Sequence, residues 1–210
     1  MFVSPRIIFG DYRYGEVSPG KVNEALANTT QVRFLPPNPV YYLSRVKELF
    51  SRFFTASSVD RAKFDFMISS KRLHEAYILF GQGKYSLAKN SLEDYDLATK
   101  RSVGQLKKAR SQNQDVTAAV DEMVEKLNYQ EILLIYLAGA NRDEPKLQGA
   151  FASFESYVNE LNSIKPGILT RFKILRVKMD SEGSSSAKTN SAQTAPIEPT
   201  ASAVPRRVIF

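Results

Sequence analysis

Apolar side chains recur at steps of three and four residues through most of residues 38–165. Val40, Leu43, Val46, Phe50 and Phe53 set the pattern in the first such stretch. Residues at this spacing lie on one face of an α-helix, whereas a half-buried strand would alternate at every second residue. The pattern predicts an all-α fold, an antiparallel bundle in which the apolar faces of about five helices shelter one another from water.

Capping and helix-breaking residues divide this stretch into five segments. Asn38 and Pro39 favour a helix start, because Asn caps the first turn and Pro lacks an N–H that would be unpaired there. Ser57 and Asp60 are spaced as a capping pair for a second helix that starts near Val59. Gly81-Gln82-Gly83 predicts a tight turn that folds the second and third helices into an antiparallel hairpin. The predicted helices run from Pro39 to near Phe54, from near Val59 to Phe80, from Lys84 to about Arg110, from a cap at Asp115 to Gly139, and from Asp143 to Pro166. The second half of the fourth helix is apolar nearly all round, which predicts the most buried element.

The two ends of the sequence have a different composition. Residues 1–37 are interrupted by Gly and Pro, which predicts an irregular leader with a short helical turn at 21–27. Residues 38–180 are the predicted helical bundle domain, and within it 168–179 are predicted as a short helix, with a strand as the alternative. Residues 181–210 are predicted as a disordered tail, because a Ser/Thr/Ala/Pro-rich stretch buries too little apolar surface to offset its ordering entropy. The final residues, 204–210, are apolar and basic, as in a short docking motif or a frayed end.

Patterns of catalytic and metal-binding residues are missing from the sequence. The chain has no Cys and a single His, His74, which rules out disulfides, thiolate chemistry and a metal site built from several His. Gly81-Gln82-Gly83-Lys84 lacks the spacing and the Ser or Thr of a phosphate-binding loop, and it follows a helix rather than a strand. Acidic clusters such as Glu93-Asp94-Asp96 sit on amphipathic helices, where they usually face water. We therefore expect no catalytic residue, no metal and no cofactor.

Charge is distributed unevenly along the chain. Residues 38–111 carry 14 Lys and Arg against 7 Asp and Glu, whereas residues 112–163 carry 3 against 9. We expect the two segments to attract each other within the bundle, at about 0–1 kcal/mol for each exposed pair. The densest basic positions lie on the third helix and are Lys100, Arg101, Lys107, Lys108 and Arg110. They give one alternative function, the binding of nucleic acid or another anionic polymer, although no nucleic-acid-binding motif accompanies them.

Aromatic residues supply the other candidate surface. The chain has 10 Tyr and 13 Phe, and at helical spacing most of them are expected in the core. Tyr41, Tyr42 and Tyr85 are candidates to line a groove for a partner helix or an extended peptide. Such a groove requires an exposed apolar patch larger than a few hundred Å². We therefore predict a non-enzymatic interaction module with a protein or peptide partner, and no membrane span, since the longest apolar run, 132–138, is far shorter than the roughly 20 residues of a spanning helix.

Three motifs resemble a known family. They are Leu35-Pro36-Pro37-Asn38-Pro39-Val40-Tyr41-Tyr42-Leu43, Arg72-Leu73-His74-Glu75-Ala76, and Gly83-Lys84-Tyr85 followed by Ala88. Their order and spacing resemble the bacterial domain-of-unknown-function family 5667 over about residues 34–110, with Ser44 in place of the family's usual basic residue. The resemblance implies a helical protein without an assigned activity, from the envelope or the secreted proteins of bacteria. If no export segment precedes the chain, a cytoplasmic location is expected instead, because its first residues lack the continuous apolar core of a signal peptide.

The turn at Gly83 also resembles part of a tetratricopeptide unit. Gly83-Lys84-Tyr85 and Ala88 match the turn of that unit, but the fold needs 34-residue repeats with short helices. No second copy is visible, and the predicted third helix is too long. A tetratricopeptide-like peptide-binding unit is therefore the second alternative function.

Overall fold

The computed structural model describes residues 17–140 and 144–172, and all regular structure in these residues is helical. The helices are α1 (Pro19–Asn28), α2 (Pro39–Phe54), α3 (Ser58–Gly81), α4 (Tyr85–Ser111), α5 (Thr117–Ala140), α6 (Pro145–Ile164) and a short 3₁₀ helix (Leu169–Arg171). The predicted all-α fold is confirmed, and α2 to α6 are the five predicted helices. The 3₁₀ helix lies within the segment 168–179 that was expected to be helical or extended.

Local capping sets the helix ends as the sequence predicts. Asn38 Oδ1 accepts a hydrogen bond from the N–H of Val40 at 2.9 Å, and Ser57 Oγ accepts from the N–H of Val59 at 3.1 Å. At the hairpin turn, Gly83 has φ +71°, a left-handed conformation that Gly adopts without strain. These contacts satisfy backbone groups that a helix end leaves without an internal partner.

One helix, α1, comes from the segment predicted to be an irregular leader. The short helical turn expected at 21–27 is instead a ten-residue helix that begins at Pro19 and packs against α5, with Val22 and Ala25 buried. So short a helix is marginal by itself and is stabilised by its packing against the rest of the protein. That contact joins residues far apart in the chain, so the local sequence does not reveal it.

Two antiparallel hairpins, α3–α4 and α5–α6, stack on each other. Contacts between them advance along both chains in the same direction, so α3 runs parallel to α5, and α4 runs parallel to α6. The contacts from α3 to α5 are Lys63–Glu122, Ser70–Gln130 and Tyr77–Tyr136; those from α4 to α6 are Lys89–Glu144, Ser102–Tyr157 and Arg110–Ser163. Helix pairs stack on each other in the same way in α-solenoid proteins. The hairpins, spanning residues 58–111 and 117–164, are each longer than a 34-residue tetratricopeptide unit.

The core lies between the two hairpins. Its largest fully buried side chains include Tyr95, Leu106, Leu127, Phe154 and Tyr157. In α5 the second half is buried at 130, 131, 133–135, 137 and 138, as its nearly continuous apolar sequence predicts. Phe172 closes one side of the core by packing edge-on against Phe154, with ring centroids 5.6 Å apart.

Helix α2 forms an outer layer of this stack. It runs antiparallel to α3, since Tyr41 contacts Glu75 and Arg52 contacts Asp65. In α3, Lys63 and Ser70 contact α5. Asp65 and Arg72 each lie two residues further along and contact α2. A step of two residues turns an α-helix by about 200°, so the two pairs point in nearly opposite directions. Helix α2 and the α5–α6 hairpin therefore lie on opposite sides of α3.

Several sequence-based predictions concern residues outside the described ones. These are the first sixteen residues of the predicted leader, most of the segment 168–179, the tail from 181 and the final residues 204–210. They stay predictions.

Candidate interaction surface

Polar side chains attach α2 to the body of the protein. Tyr41, Arg45, Glu48 and Arg52 follow one another at steps of four, three and four residues and so form one stripe of the helix, here named the α2 anchor. Arg45 Nη2 lies 2.7 Å from Asp94 Oδ2 of α4, and Arg52 donates to both oxygens of Asp65 in α3, at 2.7 and 3.1 Å. The backbones of α2 and α3 approach each other at few positions, so long polar side chains carry most of this contact.

The centre of the α2 anchor is a cluster of four charged groups. Glu48 accepts from Lys71 Nζ at 2.5 Å and from Arg72 Nη2, and Arg72 Nη1 donates to Glu75 Oε1 at 2.5 Å. Arg72 and Glu75 are fully buried. Two cations and two carboxylates balance each other, which is the condition under which buried charge is tolerated.

Tyr41 completes the cluster from the start of α2. Its hydroxyl donates to Glu75 Oε2 at 3.3 Å, and the guanidinium carbons of Arg72 and Arg45 lie 5.7 and 5.9 Å from its ring centroid. Burial, assisted by the negative charge of Glu75, raises the pKa of the Tyr41 hydroxyl to about 12. Tyr41 is therefore a neutral donor that helps to hold α2 in place, rather than a surface residue.

The opposite side of α2 is apolar and faces solvent. It consists of Tyr42, Leu43, Val46, Leu49, Phe50, Phe53 and Phe54, here named the α2 apolar face, and these residues are 48–78% exposed. The helical face predicted from Leu43, Val46, Phe50 and Phe53 is therefore real, but the expectation that it shelters in the bundle is wrong. Taking about 200 Å² for a whole aromatic side chain, the three Phe alone expose roughly 400 Å². The largest apolar patch of a typical monomeric protein is about 300–600 Å², and the other four residues of the face add to the area of the three Phe.

A groove continues this surface toward α3. It has a volume of about 520 Å³ and lies between α2, α3 and the segment that joins α1 to α2. Phe34, Val40, Leu43 and Met67 give it apolar walls; its basic residues are Arg33, Lys47 and Lys71. Of these, Lys71 is already paired with Glu48. The surface thus combines an apolar helix face with a more polar, mainly basic edge.

The three tyrosines predicted to line a groove occupy different environments. Tyr41 is buried in the α2 anchor, whereas Tyr42 is 57% exposed on the α2 apolar face, with its ring edge-on to that of Tyr41. Tyr85 is 56% exposed at the start of α4, where its ring lies 6.0 Å from that of Phe80. Of the three, Tyr42 is the residue that belongs to the large apolar surface.

The predicted basic positions of α4 are mostly engaged with acidic residues. Lys100 pairs with Asp96 at 2.7 Å, and Lys107 and Arg110 lie 3.3 and 3.8 Å from Glu160 of α6. Arg101 lines a small cavity between α2, α3 and α4, and Lys108 is exposed. The expected attraction between the basic and acidic segments is confirmed by the pairs that join α4 to α6.

Possible metal ligands do not cluster in the part of the chain that the structure describes. No cluster of three or more His, Asp or Glu in residues 17–140 and 144–172 is placed to hold a metal ion. His74 lies on α3 with Nδ1 3.2 Å from the Thr30 carbonyl oxygen and from Thr29 Oγ1. Its ring joins the end of α1 to α3, which is a structural contact. None of the described helices has the length and apolar character needed to cross a membrane.

The residues that sequence reasoning missed are the three charged residues of the α2 anchor. Arg45, Glu48 and Arg52 are charged at helical spacing, a pattern that normally marks the solvated side of a helix. The sequence of α3 contained a signal for this arrangement, because Asp65, Arg72 and Glu75 place charged groups on one side of that helix. A neighbouring helix could not pack a fully apolar face against that side. Polar groups at those positions require polar partners if they are buried.

Comparisons with known proteins agree with the motif-based assignment. No curated protein and no solved structure matches the chain. The model of one family matches residues 33–130, which include all of α2, α3 and α4 and the first part of α5. The α2 apolar face and its anchor both lie inside this match. Residues 33–130 thus match the family described as Domain of unknown function (DUF5667), which confirms the resemblance given by the three motifs.

Proposed function

We propose that the protein is a non-enzymatic interaction module and that the α2 apolar face is its binding surface. The observation that carries the proposal is the orientation of α2. This helix directs Arg45, Glu48 and Arg52 toward the protein and Leu43, Phe50 and Phe53 toward solvent. A helix that only covered the core would be oriented the other way, because burying apolar surface is the main favourable term in folding.

Preorganisation supports the same function. The anchor holds α2 in its helical form before a partner arrives, so binding does not have to meet the entropy cost of forming the helix. Large aromatic residues such as Phe50 and Phe53 bury much apolar area and contribute strongly to the binding energy of protein interfaces. The spacing of the face fits recognition of another helix, in which contacts recur at three- and four-residue steps.

Binding of nucleic acid through α4 has weaker support. Lys107 and Arg110 pair with Glu160, and Lys100 pairs with Asp96, so much of the positive charge is balanced within the protein. A nucleic-acid complex would weaken steeply as salt rises, because phosphate contacts release counterions. An apolar interface on α2 would be nearly insensitive to salt, and this difference separates the two functions.

Site-specific photo-crosslinking in the native organism tests the proposal. A photoreactive residue at position 50 should yield a covalent protein adduct, whereas the same residue at position 85 should not. Tyr85 is the matched control, because it is as exposed as Tyr42 but lies outside the α2 apolar face. Adducts at position 85 with none at position 50 would overturn the assignment of the surface, and adducts at neither would overturn the function.

A further inference from the structure

We infer that the occupant of the α2 apolar face is the same face of a second copy of the chain, so that two α2 helices pack antiparallel across a two-fold axis. The inference rests on the proposed function and identifies the molecule that binds the α2 apolar face. It assigns the contact to residues 42–54. The axis passes at the level of residue 48, midway along the face.

The position of α2 in the stack is the first argument. The order of layers is α2, then the α3–α4 hairpin, then the α5–α6 hairpin, whose α5 also contacts α1. Stacked helical proteins need a polar outer surface on their terminal layer to stay soluble. Helix α2 instead turns Leu43, Phe50 and Phe53 outward. A further helical layer on top of α2 would continue the stack and bury this surface.

The spacing of the face supplies the second argument. Leu43, Val46, Phe50 and Phe53 are separated by three, four and three residues, which is the a/d spacing of a coiled-coil seam. In an antiparallel pair centred at residue 48, Leu43 lies opposite Phe53 of the other copy, and Val46 lies opposite Phe50. A smaller side chain then meets a larger one in both of these pairs, as close packing favours. A parallel pair would place Phe against Phe and Val against Val, leaving uneven layers.

Charge does not direct this surface toward an acidic or basic partner. The charged residues of the α2 anchor are already paired with α3 and α4, in Arg45–Asp94, Arg52–Asp65 and the contacts of Glu48. The basic residues at the edge of the face are Lys47 of α2 and Arg33 of the segment before it, and long Lys and Arg side chains can keep their charge in water beside an apolar contact. Antiparallel packing also opposes the two helix dipoles, which is favourable.

The exposed area agrees with what a stable dimer needs. With about 200 Å² for each whole aromatic side chain and somewhat less for Leu and Val, the exposed fractions of the seven residues amount to on the order of 800 Å². A standard protein interface buries about 800 Å² on each partner. One face of one helix therefore supplies the required area without a rearrangement of the bundle.

Analytical ultracentrifugation of the full chain tests the inference. We expect a concentration-dependent shift from the 23.6 kDa monomer to a species of twice that mass. Phe50→Glu should raise the dimer dissociation constant at least about 100-fold, since it places a charge in the centre of an apolar contact. Tyr85→Glu, a substitution at a comparably exposed aromatic residue outside the face, should leave the constant unchanged. Circular dichroism checks that both variants keep the helical fold.

Cysteine crosslinking tests the orientation, and the chain has no Cys of its own to interfere. An oxidised mixture of the Val46→Cys and Phe50→Cys variants should give more covalent dimer than either variant alone. A parallel pair would give the reverse, because each Cys would then face its own copy. Ser86→Cys, at an exposed position of α4, is the control for random collision.

Three results would overturn the inference. The first is that the chain stays monomeric up to about 0.5 mM, a concentration well above the micromolar dissociation constants that interfaces of this size reach. The second is that the dimer persists in the Phe50→Glu variant. The third is that the chain is monomeric and binds phosphatidylglycerol vesicles, and that this binding is lost in Phe50→Glu. If the chain is monomeric and a crosslinker at position 50 captures a different protein, the inference fails and the proposed function stands. If position 50 captures nothing, both fail.

Discussion

Arg52 of α2 and Asp65 of α3 form a two-pronged ion pair, with Nε 2.7 Å from one carboxylate oxygen and Nη2 3.1 Å from the other. The Asp65 carboxylate is 3% exposed, whereas the Arg52 side chain is 33% exposed. The pair fixes the last turns of α2 against α3 by a polar contact. Since a paired Arg fork is directional, it also fixes which side of α2 faces outward.

Removal of Arg52 should release the end of α2 while the rest of the protein stays folded. Arg52→Met leaves the Asp65 carboxylate buried without its partner, which we expect to cost about 2 kcal/mol. Hydrogen exchange should show faster exchange of the α2 amides and unchanged protection in α3 and α4. Arg45→Met is the control and should cost under about 1 kcal/mol, because the Arg45–Asp94 pair is one-third exposed at both ends. Equal effects of the two variants would contradict this account of the anchor.

Breaking the buried pair of Arg72 and Glu75 should be more damaging. Arg72→Met strands the Glu75 carboxylate in the interior and removes one of the two cations that contact Glu48, with an expected loss of about 3–5 kcal/mol in the free energy of unfolding. The double variant Arg72→Met/Glu75→Leu should recover part of that loss, since no isolated charge then remains at position 75. Urea denaturation measures both values. A double variant less stable than the single one would contradict this account, because the stranded charge at position 75 would then not be the source of the loss.

The helices themselves were predictable from the sequence because their signals are local. Asn38 with Pro39, Ser57 and the turn at Gly83 act within a few residues, and each appears in the structure with the expected geometry. The second half of α5 is apolar on nearly all sides, and this composition likewise predicts that it is buried. These local signals can be interpreted without knowing which helices contact each other in the folded protein.

The orientation of α2 was not predictable in the same way. A helical period identifies two faces but not the direction in which each points, and the usual rule turns the apolar face inward. The rule fails here because α3 presents Asp65, Arg72 and Glu75 to α2, and these buried groups require the polar side of α2 as their partner. The full length and the packing of α1 were missed for a related reason, since the sequence predicted only a short helical turn at 21–27 and the stability of α1 depends on α5, nearly a hundred residues later in the chain. The candidate surface therefore emerged only when the contacts between helices were known.

The two glycines of the α3–α4 turn should respond differently to the same substitution. Gly83 has φ +71°, so Gly83→Ala should lower stability by about 1 kcal/mol even though no atom lies within 4 Å of the added carbon. Gly81 ends α3 with an ordinary helical backbone and equally free space, so Gly81→Ala should raise stability by roughly 0.5–1 kcal/mol. Thermal denaturation of the two variants gives the comparison. A stable Gly83→Ala variant would show that the hairpin turn can change its backbone conformation.

His74 should make stability depend on pH between about 5 and 7. Burial lowers the pKa of its imidazole below 6.5, against the raising effect of the hydrogen bond to the Thr30 carbonyl. The unfolded chain binds a proton near pH 6.5, and the folded chain does so only at lower pH, so more protons are bound in the unfolded state within this window. The free energy of unfolding must therefore fall as the pH is lowered through it, by at most about 1.4 kcal/mol per pH unit.

The variant His74→Gln isolates this effect, because the chain contains no other His and the Gln amide can still donate to the Thr30 carbonyl. Burial raises the pKa of Glu75, but that carboxyl acts with the opposite sign, since the folded chain then holds more protons than the unfolded one. Subtracting the stability profile of the variant from that of the parent removes the Glu75 contribution and leaves that of the imidazole. We expect the difference to fall steadily as the pH drops below about 6.5. A difference that does not change between pH 5 and 7 would mean that the ring between α1 and α3 takes up its proton as readily as it does in water.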